Sequence, residues 1–282
     1  MGSIVLAFSC ALVWGSSDYC GGRATVRGGA LGVTVVSQLF GLPILAACVL
    51  LLPGGWHPSD LAWGAGAGAA GLLGIVALYQ GLATGAMSVV APITAVTGAL
   101  IPIGAGLLLG ERPTTLALVG AGCAVLAIAL VSMGAPEPPE LAATPRTGVR
   151  IIALALTAGA MFGIFFVLLA QAHAGSGMWP LVGARATSLP LGLAIALGRR
   201  ASLRLPRRIL GWVALAGSGD IAANALYLLA AQGGLLSVVA PISALYPVST
   251  VVLAITIDRE RVRAGQLVGL GLAATALVLT AV

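Results

Sequence analysis

Three ionisable side chains interrupt otherwise apolar stretches of this sequence: Asp18, Arg185 and Asp220. A charge at the centre of a bilayer costs about 2.5–3.5 kcal/mol on insertion scales, so each of them requires a partner, water or a task. Asp220 is followed by Asn224 and Tyr227 at i+4 and i+7. That spacing sets a carboxylate, an amide and a phenol on one helix face, a stripe fitted to hold a polar solute or a proton where it borders water. Arg185, in the helix before, stands at a depth from which it reaches Asp220. Two readings of the pair stay open: an ion pair that only neutralises both charges, or a lined route in which Arg185 attracts an anionic group while Asp220 competes for it or exchanges a proton. Asp18 lies four residues after Trp14 near the expected end of the first helix. It either reaches interfacial water or serves as a vestibule acid with Trp14 packing on the solute. Tyr79, Gln80, Tyr227 and Tyr246 are further polar-tipped residues at membrane depth, fit either to line a cavity or to bond a neighbouring backbone.

The elements that must position these groups follow from composition. Of 282 residues 59% are hydrophobic and 8% charged, too thin a polar coat for a water-soluble core. Fourteen basic residues, all arginine, against eight acidic ones give a net charge of +6. They sit in short breaks between apolar runs rather than on one solvated face, so the excess marks cytoplasmic loops and not a nucleic-acid partner. A spanning helix needs about 20 apolar residues, and ten such runs occur: 3–21, 30–52, 60–83, 86–109, 115–133, 150–170, 178–198, 209–231, 235–257 and 264–282. The first has no basic residue before it and is expected to stay in the mature chain. Residues 134–149, with Pro136, Pro138, Pro139 and Pro145, form a linker that its prolines bar from continuous helix. Cys10, Cys20, Cys48 and Cys123 show no metal-like spacing and read as small core hydrophobes, and no metal or cofactor is expected. His57 and His173 lie in or beside loops and carry no assigned role. Glu111 and Glu260, at turns beside arginines, read as helix caps or interfacial pairs.

Across the linker the sequence repeats itself. Ser88-Val89-Val90-Ala91-Pro92-Ile93 recurs unchanged as Ser237-Val238-Val239-Ala240-Pro241-Ile242, 149 residues later. At the same offset, or within two residues of it, Ala77-Leu78-Tyr79 answers to Ala225-Leu226-Tyr227, Glu111-Arg112 to Glu260-Arg261, Gly120 and Gly122 to Gly269 and Gly271, and Pro43 to Pro190. The fold expected is therefore an all-α polytopic membrane protein, ten transmembrane helices as two inverted five-helix repeats, residues 1–133 and 150–282. Five is odd, so the second repeat must cross the membrane in the opposite sense. Gln38 takes in the first repeat the place of Arg185 in the second, which makes the expected cavity electrically lopsided. Pro92 and Pro241 remove paired backbone hydrogen bonds and read either as hinges beside the site or as packing residues.

Trp14-Gly15-Ser16-Ser17 in the first helix, the tyrosines of the third and eighth, the apolar-proline fourth and ninth, and Gly110-Glu111-Arg112 resemble in their order the drug/metabolite transporter superfamily, specifically ten-helix proteins with two EamA-type domains. The resemblance covers nearly the whole chain. It departs at Arg259-Glu260-Arg261, where the glycine is lost, and at Phe162-Gly163, which replaces Trp14-Gly15. It implies a carrier of the bacterial cytoplasmic membrane that exports or exchanges amino acids, nucleosides or other metabolites, or drug-like compounds. The inverted repeat itself points to alternating access about a central site, with the lipid bilayer and a small-molecule substrate as expected partners and protons as a candidate one. A lipid or lipid-carrier flippase is an alternative on the same fold. Gly217-Ser218-Gly219-Asp220 also matches the short Gly-x-Gly-Asp signature of intramembrane aspartyl proteases, but its Tyr-Asp and Pro-Ala-Leu companions are missing, and an enzyme is not expected. No phosphate-binding loop is present to let ATP drive transport directly.

Arginine counting orients the chain. The odd-numbered loops hold twelve of the arginines and the even-numbered loops only Arg112, Arg185 being inside a helix. The positive-inside rule then puts the odd loops in the cytoplasm and both termini outside.

Overall fold

The computed structural model describes residues 1–52, 54–82, 87–133, 145–259 and 263–281. In chain order the helices are α1 (Gly2–Gly28), α2 (Ala30–Leu51), α3 (Pro58–Leu82), α4 (Met87–Leu108), α5 (Thr115–Ser132), α6 (Pro145–Ala170), α7 (Trp179–Gly198), α8 (Leu210–Gly233), α9 (Leu236–Ser243), α10 (Tyr246–Asp258) and α11 (Ala264–Ala281), with a 3-10 turn at Arg207–Ile209 leading into α8. Ten stretches are long and apolar enough to cross a membrane, α9 and α10 together supplying one of them. Thr84-Gly85, the linker residues 134–144, Glu260 with Arg261, and the side chain of Tyr79 lie outside what is described.

Three boundaries differ from those read in the sequence. α1 does not stop at Gly21 but runs on to Gly28. Arg23 does not end it, because its guanidinium lies 5.5 Å from the ring centre of Tyr19 and 5.7 Å from that of Trp212, and Nη1 donates to the Tyr19 hydroxyl at 3.1 Å. Asp18 consequently belongs to the interior of a long helix rather than to its end. α6 begins at Pro145, inside the expected linker, since proline at a first helical position gives up an N–H that has no partner anyway. The ninth span is not one helix. Pro247 has no N–H for the carbonyl of Ser243 four residues earlier and crowds it, and the span divides at Ala244-Leu245 into α9 and α10. Its first-repeat counterpart α4 carries Pro92 and Pro102 within one continuous helix. Pro92 and Pro241 themselves both lie inside helices, and the break in the second repeat falls after Pro241, at Ala244-Leu245.

Lipid tails are as apolar as leucine, so burial of large side chains drives helices together weakly in a bilayer, and close backbone approach matters more. Ala7, Ala67, Ala99, Ala124 and Ala127 accordingly fill the interior, while Leu126, Leu215 and Val278 point outward. The pairings of helices follow a two-fold pattern: α1 against α8 is matched by α6 against α3, α2 against α8 by α7 against α3, and α4 against α6 by α10 against α1, while α5 packs on its own counterpart α11. The symmetry reaches single atoms. A Cβ added to Gly120 would lie 3.1 Å from the carbonyl of Ala276, and one added to Gly269 would lie 3.1 Å from that of Ala127, the repeat-related pair. Gly217 abuts the carbonyl of Ser37, and Gly68 that of Ala184, in the same way. Nearly every large interface therefore joins one repeat to the other, and what lies between them is built from both.

Candidate functional site

Asp220 and Arg185 meet at this junction. Arg185 Nη2 of α7 donates to Asp220 Oδ2 of α8 in a direct ion pair. On the other side Trp14 Nε1 of α1 donates to Asp220 Oδ1 at 3.2 Å. One carboxylate thus ties the first helix of one repeat to two helices of the other. Arg185 keeps 14% of its side-chain surface accessible and Asp220 33%, so the pair borders open space and is not sealed in packing.

Trp14 belongs in turn to a cluster of aromatic rings. The Trp14 ring centre lies 5.6 Å from that of Phe166, 6.2 Å from Phe165 and 5.8 Å from Tyr246. Phe166 in turn packs edge-on against Tyr227 at 4.7 Å. Tyr227 is fully buried and its hydroxyl donates to the carbonyl of Phe166 at 2.8 Å, so its polar tip is engaged by α6. Asn224 Nδ2 donates to the Asp220 carbonyl at 2.7 Å, one turn back on α8. Its Oδ1 is buried and has no hydrogen-bond partner among the described residues. Of the Asp220, Asn224, Tyr227 stripe, the carboxylate thus meets α1 and α7 and the phenol meets α6, while the amide is bonded within α8.

The remaining sequence-derived candidates are divided. Asp18, exposed on α1, lies within electrostatic range of Asp220 and of Tyr246, and belongs to the same region. Gln38 is buried and accepts from Ser188 Oγ at 2.8 Å, which ties α2 to α7 behind Arg185. Gln80 is elsewhere: with Val76, Gly28, Gly32, Arg199 and Ser202 it lines a groove of about 450 Å³ at the odd-loop end of the bundle. Pro92 and Pro241 sit in α4 and α9, neither with a place in the charged pair.

Some participants escaped sequence reasoning. Phe165 and Phe166 supply much of the aromatic cluster, and the one available signal was that aromatics make up only 5% of the chain yet Phe162, Phe165 and Phe166 fall on a single helix. His173, given no role, binds through its backbone N–H (3.0 Å) and Nδ1 (2.9 Å) to Asp60 Oδ1, which holds the loop after α6 to the start of α3. Asp60 itself is completely inaccessible. Glu111 caps a helix as expected, but the helix is α9 of the other repeat: its two oxygens accept from the N–H groups of Leu236 at 2.6 Å and Ser237 at 2.8 Å.

A family model described as the EamA-like transporter family matches residues 1–133 and 149–282. Among solved structures, one crystal structure of a protein superposes with a TM-score of 0.77 at 16% identity, over 99% of this chain and 98% of the other. That likeness establishes a shared fold. Among curated proteins none matches significantly.

Proposed function

The chain belongs to the EamA-like transporter family, and on that premise we propose that this integral membrane transporter moves small zwitterionic metabolites of amino-acid type by alternating access through the Arg185–Asp220 site. The observation that carries the reading is the pair of opposite charges, side by side at the junction of the repeats, with the Asp220 carboxylate also held by Trp14. Without a solute the two side chains satisfy one another. A zwitterion replaces that bond with two others, its carboxylate on Arg185 and its ammonium on Asp220, with Asn224 Oδ1 as an additional acceptor. The exchange leaves no charge unpaired. A lone anion on Arg185 would strand Asp220, and an uncompensated charge at a site this accessible costs about 1–2 kcal/mol, below what a fully buried one costs. The electrostatics therefore favour solutes that carry both charges. Trp14, Phe165 and Tyr246 offer flat faces to an apolar side chain and to the ammonium group.

The two repeats rock about the site, each exposing it to one side of the bacterial cytoplasmic membrane. Asp18 and Asp220, in electrostatic range of each other across α1 and α8, are the acids on which a coupling proton would sit. The arginine distribution, twelve in odd loops against Arg112 in the even ones, puts the odd loops in the cytoplasm and both termini outside.

The test is uptake into proteoliposomes of a neutral amino acid, of the amine left when its carboxylate is removed, and of its N-acetyl derivative, at two internal pH values. The zwitterion alone should accumulate, faster with the internal pH that drives proton exchange. Equal uptake of the amine would overturn the two-charge reading.

A further inference from the structure

The short helix α9 has an unusual setting. It is 8 residues long and every one of them is buried. At its start, Glu111 reaches from the α4–α5 turn of the opposite repeat and takes the first two N–H groups, those of Leu236 and Ser237, one on each carboxylate oxygen. At its end, a hydrogen-bonded turn at Ala244-Leu245 separates it from α10. One of its hydroxyls, Ser237 Oγ, is buried with no hydrogen-bond partner among the described residues, while Ser243 faces the Cys10 thiol of α1. A buried hydroxyl without a partner costs about 1–3 kcal/mol, a cost the even-loop end of α9 carries in this arrangement. Just past the break comes Tyr246, whose ring centre lies 5.8 Å from that of Trp14 at a 45° tilt, and Trp14 holds Asp220. A continuous chain of contacts thus leads from Glu111 through α9 and Tyr246 to the charged pair.

We propose that Glu111 is a gating residue: its carboxylate locks α9 across the boundary between the repeats and so closes the even-loop side of the central site. The inference rests on the alternating-access reading above. The helix dipole and two orphan N–H groups favour a carboxylate at this position, and both bonds must break for the even-loop ends of α4 and α9 to part. Gly106 of α4 marks how tightly they are held, since a Cβ there would collide with Glu111 Oε2 and approach the Ser237 nitrogen to 2.9 Å. Solute entering between Arg185 and Asp220 disturbs Trp14, and Tyr246 relays that to α9 across two residues. Glu111 itself touches no solute.

The gate is tested by the rate at which a single cysteine in the aromatic cluster, Phe165→Cys with the four native cysteines replaced, reacts with a membrane-impermeant maleimide. The reagent is applied to each membrane face in turn, in spheroplasts and in inverted vesicles. Glu111→Gln retains the size but halves the acceptors. Leu236→Pro removes one donor where the backbone tolerates it, because Leu235 before it is already extended (φ −71°, ψ 131°). Both variants should speed labelling from the even-loop face about fivefold, the effect of losing one good cap, with the odd-loop face unaffected. Combined, they should do little more than either alone. If two folded variants label at the original rate, or equally faster from both faces, Glu111 is a structural cap and the proposal falls. Loss of zwitterion uptake by the parent chain with the labelling shift intact would instead remove the substrate reading and leave the gate standing.

Discussion

Replacing Asp220 by Asn separates the two possible meanings of the buried pair. Asparagine preserves the shape and one acceptor oxygen, so Trp14 or Arg185 keeps a hydrogen bond and the change is confined to the charge. With a third of the Asp220 side chain accessible, water partly screens the stranded Arg185. The stability loss should then be about 1–2 kcal/mol, below the 3–5 kcal/mol of a fully buried broken pair. For the solute, the ammonium exchanges a charged acceptor for a neutral one. The difference between the two kinds of hydrogen bond is about 1–1.5 kcal/mol, which corresponds to uptake at low solute concentration falling about 5- to 13-fold. The assay is initial uptake in proteoliposomes beside thermal unfolding of the purified protein, for Asp220→Asn, Arg185→Gln and the double variant. The neutral double variant should recover most of the lost stability and none of the transport. Recovery of transport together with stability would show that the charges only neutralise each other, and the reasoning would be refuted.

Three other outcomes are expected. Trp14→Phe keeps a ring in the cluster but removes the donor to Asp220, and should weaken apparent solute affinity several-fold, about 1 kcal/mol, with maximal rate little changed; an unchanged half-saturation concentration would count against Trp14 as a site residue. Gly217→Ala and its repeat mate Gly68→Ala drive a Cβ into the backbone carbonyls of Ser37 and Ala184, which cannot yield, and folded protein should be lost, whereas Gly122→Ala, with nothing within 4 Å, should be neutral or stabilising by up to about 1 kcal/mol; recovery from detergent by size-exclusion chromatography reads all three. Asp60→Ala deletes both bonds from His173, and the loop around residues 171–178 should be cut faster by limited proteolysis while the helices stay protected.

Much of this molecule was determined by the residues in sequence order. In lipid, backbone groups must be satisfied within their own segment, so length and apolarity alone gave ten spans. The repeat of Ser88 to Ile93 as Ser237 to Ile242 gave the inversion, since an odd number of crossings admits no other. Asp18, Arg185 and Asp220 were conspicuous because a membrane makes charge expensive, and the i+4 and i+7 spacing of Asn224 and Tyr227 is a property of any helix.

What the sequence did not contain was which face of each rod turns inward. In a water-soluble bundle the apolar stripe points to the core. Here lipid and interior are both apolar, and that signal is lost. Only the packed structure decided that Phe165 and Phe166 join Trp14, that Gln38 turns to Ser188 instead of the charged pair, and that Gln80 belongs to a groove at the odd-loop end. It decided too that Glu111 serves α9 of the opposite repeat, because 125 residues separate that carboxylate from the Leu236 N–H it accepts. Helix faces chosen by small-residue contact depend on the neighbour's shape, and the neighbour is fixed only when the whole bundle closes.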